Sequence, residues 1–225
     1  MAVKVRIGAL VSGRGSNLQS IIDHCQAGKI DAQVAVVISN VEDAFALERA
    51  KAAGIATAAF PRKAFATREA RDDAIIEALQ AHRVDLVVLA GYLGILSPRL
   101  IETYPWRIMN IHPSLLPAFA GAHGLGVHEA ALCKGVKVSG CTVQFVTAEV
   151  DAGPIIVQRC VRVEEDDTPE TLSARVLEQE HQAYPEAVQL FAEGRLRIED
   201  DGARVRVLQK EDCRPERGEG STVSF

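Results

Sequence analysis

Residues 3–27 read VKVRIGALVSGRGSNLQSIIDHCQA, and this stretch decides the fold class. It begins with an apolar run that ends at Val11, continues through a loop of small residues at 12–17, and then follows a helical pattern over 18–27. A buried strand that passes through a short loop into a helix is the repeating unit of an α/β domain. We therefore predict a first strand over 3–11 with the loop at its carboxyl end.

The same alternation of strand and helix patterns continues to residue 111. The run Leu86–Leu89 is apolar throughout, which is typical of a strand whose two faces are both covered by helices. Repetition of this unit predicts a doubly wound, mostly parallel, Rossmann-like sheet. The further strands are predicted over 34–39, 56–60, 84–90 and 107–111, and the further helices over 44–53, 64–82 and 97–103.

The pattern changes after Cys141. Two strands are predicted over 142–147 and 155–163, and the DAGP turn at 151–154 between them favours an antiparallel pair. A short hairpin is predicted around Gly202. Because no internal repeat or linker interrupts the chain, we predict a single domain over 1–208 and a flexible polar tail over 209–225.

A long helix is predicted between the late strand pair and the hairpin. Thr168 is expected to cap it and Pro169 to occupy its first position, where a missing backbone N–H costs nothing. Pro185 is expected to kink or break this helix near Tyr184, because proline removes a backbone donor from the helix interior.

Composition excludes several classes of protein. A hydrophobic content of 48% in 225 residues is enough for one core, and a net charge of −5 indicates neither nucleic-acid nor membrane binding. The five cysteines form no paired metal-ligand motif, so we expect reduced thiols and no metal. No segment resembles a cleaved leader or a bilayer span, so we expect a cytoplasmic protein. The oligomeric state is left open.

The loop after the first strand is a candidate phosphate site. Its sequence, SGRGSN at 12–17, permits close approach of an anion to the backbone N–H groups of the helix that follows. Ser16 or Asn17 is expected to cap that helix or to contact a phosphate. The loop lacks the Lys-Ser/Thr of a P-loop, and Leu18 stands where a dinucleotide fingerprint has its third glycine. A tight turn capped by Ser16 is the alternative, but its place at a strand end favours phosphate binding.

Candidate catalytic groups lie at the end of the fifth strand. Asn110 and His112 are two residues apart on that strand, so both side chains lie on one face while Ile111 points into the core. An amide can donate to an oxyanion and an imidazole can transfer a proton. If the 151–154 turn folds over this strand, Asp151 reaches His112 and raises its pKa by favouring the imidazolium. Turn chemistry alone is the alternative explanation for Asp151.

Four segments give a more specific resemblance. They are SGRGSN at 12–17, AGY at 90–92, NIHPSLLP at 110–117 and DAGPII at 151–156, in this order. Together they resemble the folate-dependent glycinamide ribonucleotide formyltransferases, and the resemblance extends from about residue 5 to residue 196. It implies that a formyl group passes from 10-formyltetrahydrofolate to the amine of glycinamide ribonucleotide, without a metal.

The resemblance also implies roles for individual residues. Gly15, Ser16 and Asn17 would hold the substrate phosphate. Asn110 would bind the formyl oxygen of the folate, His112 would transfer the proton, and Asp151 would set the charge of His112. The implied folate pocket is lined by Leu93, Gly94, Ile95 and Leu96, largely through backbone groups, and is met by Arg68. Many family members have an arginine where this chain has Gly94, so one side-chain contact to folate is missing here.

Glu180 stands out on the long helix. It falls on an apolar stripe with Leu172, Val176, Ala183 and Ala187, where a carboxylate is costly unless it is paired. Arg175 or His181 is one possible partner, and a ligand cation is the other. The resemblance places this glutamate against the substrate.

Rival functions share parts of this pattern. A formyltetrahydrofolate hydrolase, or a formyltransferase for another amine, would have the same Asn-His-Asp centre, but a hydrolase would not need the phosphate loop. A non-catalytic nucleotide-binding module would have the same fold and would keep its function after loss of His112.

Overall fold

The computed structural model describes residues 4–213, so Val3 and the 214–225 part of the predicted tail lie outside the described residues. The strands are β1 (Val5–Val11), β2 (Ala32–Ser39), β3 (Ala56–Ala59), β4 (Leu86–Leu89), β5 (Ile108–His112), β6 (Val138–Phe145), β7 (Ile155–Arg162), β8 (Leu196–Glu199) and β9 (Arg204–Val207). The helices are α1 (Ser16–Gln26), α2 (Phe45–Ala52), α3 (Arg68–Ala81), α4 (Pro98–Thr103), α5 (Leu125–Cys133) and α6 (Pro169–Ala192).

The main sheet has the strand order β3-β2-β1-β4-β5-β6-β7. Its first five members run parallel, whereas β6 pairs antiparallel with both β5 and β7. This arrangement confirms the predicted doubly wound sheet, its late antiparallel pair and the long C-terminal helix. The predicted hairpin around Gly202 is confirmed as the separate β8–β9 pair.

The core lies on both faces of this sheet. Leu86 and Val88 of β4 belong to one apolar cluster, and Val87 and Leu89 belong to another. Both faces are therefore covered, which explains why this strand lacks polar alternation.

The order of the strands creates a crevice at one edge. The chain moves outward from β1 to β2 and β3, then returns to place β4 on the other side of β1. Ligands bind in open α/β sheets outside the carboxyl ends of the strands at such a reversal. The loops that follow β1, β4 and β5 all leave the sheet at this edge, because the three strands are parallel neighbours.

Of the kink or break expected at Pro185, the break is absent, because α6 continues from Pro169 to Ala192 with Pro185 inside it. Proline cannot donate to the carbonyl four residues earlier, which belongs to His181. That carbonyl instead accepts a hydrogen bond of 2.7 Å from the Ser20 hydroxyl of α1. A side chain from a neighbouring helix thus replaces the missing backbone donor.

No element was predicted between β5 and β6, and the structure forms α5 there, after a glycine-rich stretch. Gly124 precedes this helix with a positive φ of 60°, a conformation that glycine adopts at little cost. Within residues 4–213, none of the helices has both the length and the apolar character needed to cross a bilayer.

Candidate active site

The glycine loop ends in a helix whose first turn is open. Gly15 precedes α1 in the left-handed region, with φ 69°, and Ser16 is the first helical residue. The predicted capping by Ser16 or Asn17 is wrong, since no side chain among the described residues caps this turn. A Cβ at Gly15 would lie 2.6 Å from the Cβ of Ala46, so only glycine fits. The backbone N–H groups of the first turn remain available to an anion.

Asn17 contacts Glu180 instead of a capping position. Its side-chain nitrogen donates a 2.7 Å hydrogen bond to the Glu180 carboxylate, which is 7% exposed. Burial raises the pKa of Glu180, and the bond from Asn17 opposes that rise. Neither internal partner considered from sequence pairs with Glu180, because Arg175 pairs with Asp167 at 2.7 Å and His181 forms no hydrogen bond with this carboxylate; the ligand cation stays a prediction. Long-range packing of α1 on α6 thus places a carboxylate beside the glycine loop.

Asn110 and His112 occupy the end of β5 as predicted. Asn110 lies opposite Gln144 and His112 opposite Thr142 in the antiparallel ladder with β6, while Ile111 is buried in the core. The Asn110 side chain is half-buried and has no hydrogen-bond partner within residues 4–213. Its amide is therefore free to bind a ligand.

The predicted contact between His112 and Asp151 is present. The Nδ1 atom of the imidazole lies 3.3 Å from the Asp151 carboxylate, and both side chains are nearly buried. The carboxylate is oriented by the backbone N–H of Gly121 at 2.9 Å and by the side-chain nitrogen of Gln144 at 3.2 Å. Gly153 allows the turn to close, because a Cβ there would lie 1.8 Å from the Phe145 carbonyl oxygen. Close packing of the turn on β6 thus brings Asp151 over β5.

A cavity of about 740 Å³ lies between α3 and the loop that follows β4. Its lining includes Arg68, Leu93, Gly94 and Ile95, four of the residues predicted for folate binding. The side chain of Leu96 is buried in an apolar cluster of the core, so this residue can meet a ligand only through its backbone groups. Leu93 and Ile95 expose 71% and 64% of their surfaces, and so offer apolar area to a ligand.

Comparison with known proteins identifies the family. The model of the formyl transferase family matches residues 5–188. This chain belongs to the formyl transferase family. The phosphoribosylglycinamide formyltransferase of Haemophilus influenzae is 47% identical over 196 residues, which cover 87% of this chain and 91% of the relative. The Escherichia coli protein of the same name is 46% identical over 199 residues, 88% of this chain and 92% of that protein.

Solved structures of formyl transferases place the fold in the same group. Glycinamide ribonucleotide transformylase 1 of Symbiobacterium toebii superposes with a TM-score of 0.88 at 53% identity, over 93% of this chain and 96% of that one. A formyltetrahydrofolate deformylase of Pseudomonas syringae superposes with a TM-score of 0.85 at 29% identity, over 92% of this chain and 67% of that one. Since a deformylase shares this fold, the residues of the site must distinguish the two activities.

The charge of His112 in this formyl transferase differs from the prediction. Burial lowers the pKa of His112 below its usual 6.5, and Asp151 and the Phe119 carbonyl raise it by less. The rise expected from Asp151 is present, but desolvation of the imidazolium outweighs it and the net shift of the pKa is downward. Burial therefore favours the neutral ring, which can accept a proton. Once protonated, it has an acceptor at each nitrogen, Asp151 and the Phe119 carbonyl, both at 3.3 Å.

Ser12 is a site residue to which the sequence assigned no individual role. Its hydroxyl donates to the side-chain oxygen of Asn40 at 2.6 Å and accepts from the backbone N–H of Leu93 at 2.8 Å. It therefore joins the glycine loop after β1 to the loop after β4. A small hydroxyl residue at the end of a buried strand was the available signal, but its partners lie 28 and 81 residues away.

Proposed function

We propose that this enzyme transfers the formyl group of 10-formyltetrahydrofolate to the amine of glycinamide ribonucleotide, a step of purine biosynthesis. The observation that carries the proposal is the 2.7 Å contact between Asn17 and Glu180. It combines an open helix N-terminus, suited to a phosphate, with a buried carboxylate, suited to the polar groups of the same ligand. A hydrolase that uses water as its nucleophile has no need for either group.

The ribonucleotide is held at two points in this proposal. Its phosphate accepts hydrogen bonds from backbone N–H groups of Gly15, Ser16 and Asn17, where the helix dipole favours an anion. Glu180 accepts hydrogen bonds from donors on the glycinamide part, because its second oxygen is not needed by Asn17. These contacts direct the amine toward the end of β5.

The chemistry takes place between Asn110 and His112. The amine attacks the formyl carbon, and the Asn110 amide donates to the oxyanion that develops, a contact of a kind that contributes about 10²- to 10³-fold in rate. Neutral His112 takes a proton from the amine, and Asp151 stabilises the resulting imidazolium. The bond from the formyl carbon to the folate nitrogen then breaks, and His112 returns the proton to that nitrogen.

The folate lies in the cavity lined by Arg68, Leu93, Gly94 and Ile95, with Asn110 at its reactive end. The proposal requires no metal and no covalent enzyme intermediate. We place the reaction in the cytoplasm, because that compartment keeps thiols reduced and the cysteines that the structure describes are scattered and unpaired.

A spectrophotometric assay with 10-formyltetrahydrofolate, with and without glycinamide ribonucleotide, tests this function. Deformylation that requires the ribonucleotide and collapses in His112→Ala is the expected result. Deformylation of equal rate without the ribonucleotide would establish the hydrolase instead. Binding of the ribonucleotide with no turnover, unchanged in His112→Ala, would establish a non-catalytic binding module.

A further inference from the structure

Tyr92 occupies the space beside Gly94. A Cβ at Gly94 would lie 2.6 to 2.8 Å from the Cε1, Cζ and hydroxyl oxygen atoms of the Tyr92 ring. No side chain fits at residue 94 while this ring keeps its position, which gives a physical reason for glycine there. Burial raises the pKa of Tyr92 to about 12, so its hydroxyl stays neutral. The 93–96 loop therefore supplies no cation to the folate cavity.

Arg71 of α3 supplies a guanidinium to the same cavity from the opposite wall. It lines the cavity although it is only 5% exposed. Its Nε and Nη2 atoms donate to one Asp72 oxygen at 3.1 and 2.9 Å, and Nη2 also donates to the Ile95 carbonyl at 3.3 Å. The remaining nitrogen, Nη1, has no partner within residues 4–213.

The guanidinium is held in a fixed orientation. Asp72 is fully buried, and its second carboxylate oxygen accepts from the backbone N–H of Ser97 at 2.5 Å. Arg71 is thus linked, directly to Ile95 and through Asp72 to Ser97, to the C-terminal part of the loop that carries Gly94. A buried ion pair adds little stability by itself, but it fixes the direction of the free donor. Such preorganisation lowers the entropy lost when a ligand binds.

The charge of the cavity indicates an anionic ligand. Its lining carries Arg62, Arg68 and Arg71 against a single carboxylate, Glu69, which pairs with Arg68 at 3.3 Å. A reduced folate ends in a glutamate with two carboxylates. A carboxylate that meets a buried guanidinium forms a charge-assisted hydrogen bond, about twice as strong as a neutral one.

We propose that Arg71 is a specificity-determining residue that binds a glutamate carboxylate of the folate through Nη1. This inference rests on the proposed function and adds the group that recognises the anionic end of the co-substrate. Arg68 lies at the exposed side of the cavity and meets the same end of the ligand with its stem and charge.

Two variants test Arg71. Arg71→Lys keeps a cation beside Asp72 but loses the planar fork. The double variant Arg71→Met with Asp72→Asn removes both charges and so avoids a buried, unpaired carboxylate. The matched control is Arg99→Met with Asp73→Asn, which removes a 2.9 Å ion pair that is exposed and outside the cavity lining. Thermal melts followed by circular dichroism establish which variants are folded.

The decisive readout is the KM for two co-substrates, 10-formyltetrahydrofolate and the 10-formyltetrahydropteroate that lacks the glutamate. We expect the double variant to raise the KM for the first about 10- to 100-fold, the usual effect of losing one hydrogen bond between charged groups. Arg71→Lys should raise it about fivefold. The KM for the truncated compound and for the ribonucleotide should change less than about twofold, and the control should match the wild type.

Equal increases for both co-substrates, or no increase for either, would overturn the assignment of Arg71. If the double variant does not fold, the same comparison is made with Arg71→Lys: the change in KM for 10-formyltetrahydrofolate against the change in KM for the truncated compound. Failure of the proposed function is distinguishable, because wild-type protein would then show no turnover that depends on the ribonucleotide. In that case, fluorescence titration with the two folates gives the same comparison as dissociation constants.

Discussion

The end of β5 and the wall of the cavity beside α3 hold their polar side chains in different ways. Asn110 and His112 lie on a strand between two hydrogen-bonded neighbours, so their positions follow from the ladder itself. Arg71 lies on a helix, and its direction depends on Asp72 and Ile95. The comparison teaches that backbone pairing by itself positions side chains on a strand, whereas a long charged side chain on a helix needs hydrogen-bond partners to fix its direction.

Of the changes at the strand end, loss of His112 should lower turnover most. His112→Ala removes the proton acceptor, and turnover dependent on the ribonucleotide should fall about 10²- to 10⁴-fold. The KM for folate should change far less, because the cavity lining is untouched. Steady-state kinetics on both substrates measures this. A decrease below tenfold would remove His112 from the proposed proton transfer.

Asn110→Asp tests the other strand-end group with almost no change of shape. It replaces an N–H donor by a carboxylate that repels the developing oxyanion, so kcat should fall about 10²- to 10³-fold. Gln33→Glu, the same change at an exposed position of β2, is the matched control and should be neutral. Steady-state kinetics at saturating substrates gives the kcat of each variant relative to the wild type. Equal activity of the two variants would place the oxyanion elsewhere.

Asp151→Asn sharpens the role of charge at the strand end. Burial already lowers the pKa of His112 below 6.5, and Asp151 opposes that effect, so its neutral replacement should lower the pKa further. The rise of kcat/KM with increasing pH should therefore move to lower pH, and the plateau should fall about 10- to 100-fold as the base weakens. Asp166→Asn, at an exposed position, should keep the wild-type pH profile. A shift of the rise to higher pH would contradict the assignment.

Gly94→Ala tests the cavity wall and should have the smallest effect on chemistry. The added Cβ overlaps the Tyr92 ring, so the free energy of unfolding should fall by about 1–3 kcal/mol, the usual cost of overpacking. Gly126→Ala in α5 is the matched control, since its Cβ meets no atom within 4 Å and alanine favours a helix. Urea denaturation of both proteins measures the difference. A stable Gly94→Ala would show that Tyr92 moves easily and does not exclude a side chain there.

Much of the architecture was predictable because its signals are local. Unbroken apolar runs identified β1 and β4, and their spacing by helical patterns led to the doubly wound sheet. The cap Thr168 was predicted from the proline that follows it, and its side chain accepts from the first turn of α6. Ser97, which also precedes a proline, caps α4 in the same way. The helix α5 was missed because the glycines at 121, 124 and 126 are typical of loops.

The errors at the site all involve contacts between distant segments. The break expected at Pro185 is prevented by Ser20, 161 residues from the carbonyl that it satisfies. Asn17 is directed away from helix capping by Glu180, 163 residues later. The pKa of His112 moves in the unexpected direction because burial depends on everything packed around it. None of these partners is visible in a local pattern.

The sequence by itself determined the fold class, the strand-end position of Asn110 and His112, and the glycine loop that leads from the first strand into the first helix, because periodicity and loop chemistry depend on neighbouring residues. Only the tertiary structure decided which groups meet there: Asp151 with His112, Glu180 with Asn17, Ser12 with Leu93, and Arg71 with the cavity. Desolvation and hydrogen-bond geometry vary over a few ångströms, and sequence separation does not encode such distances.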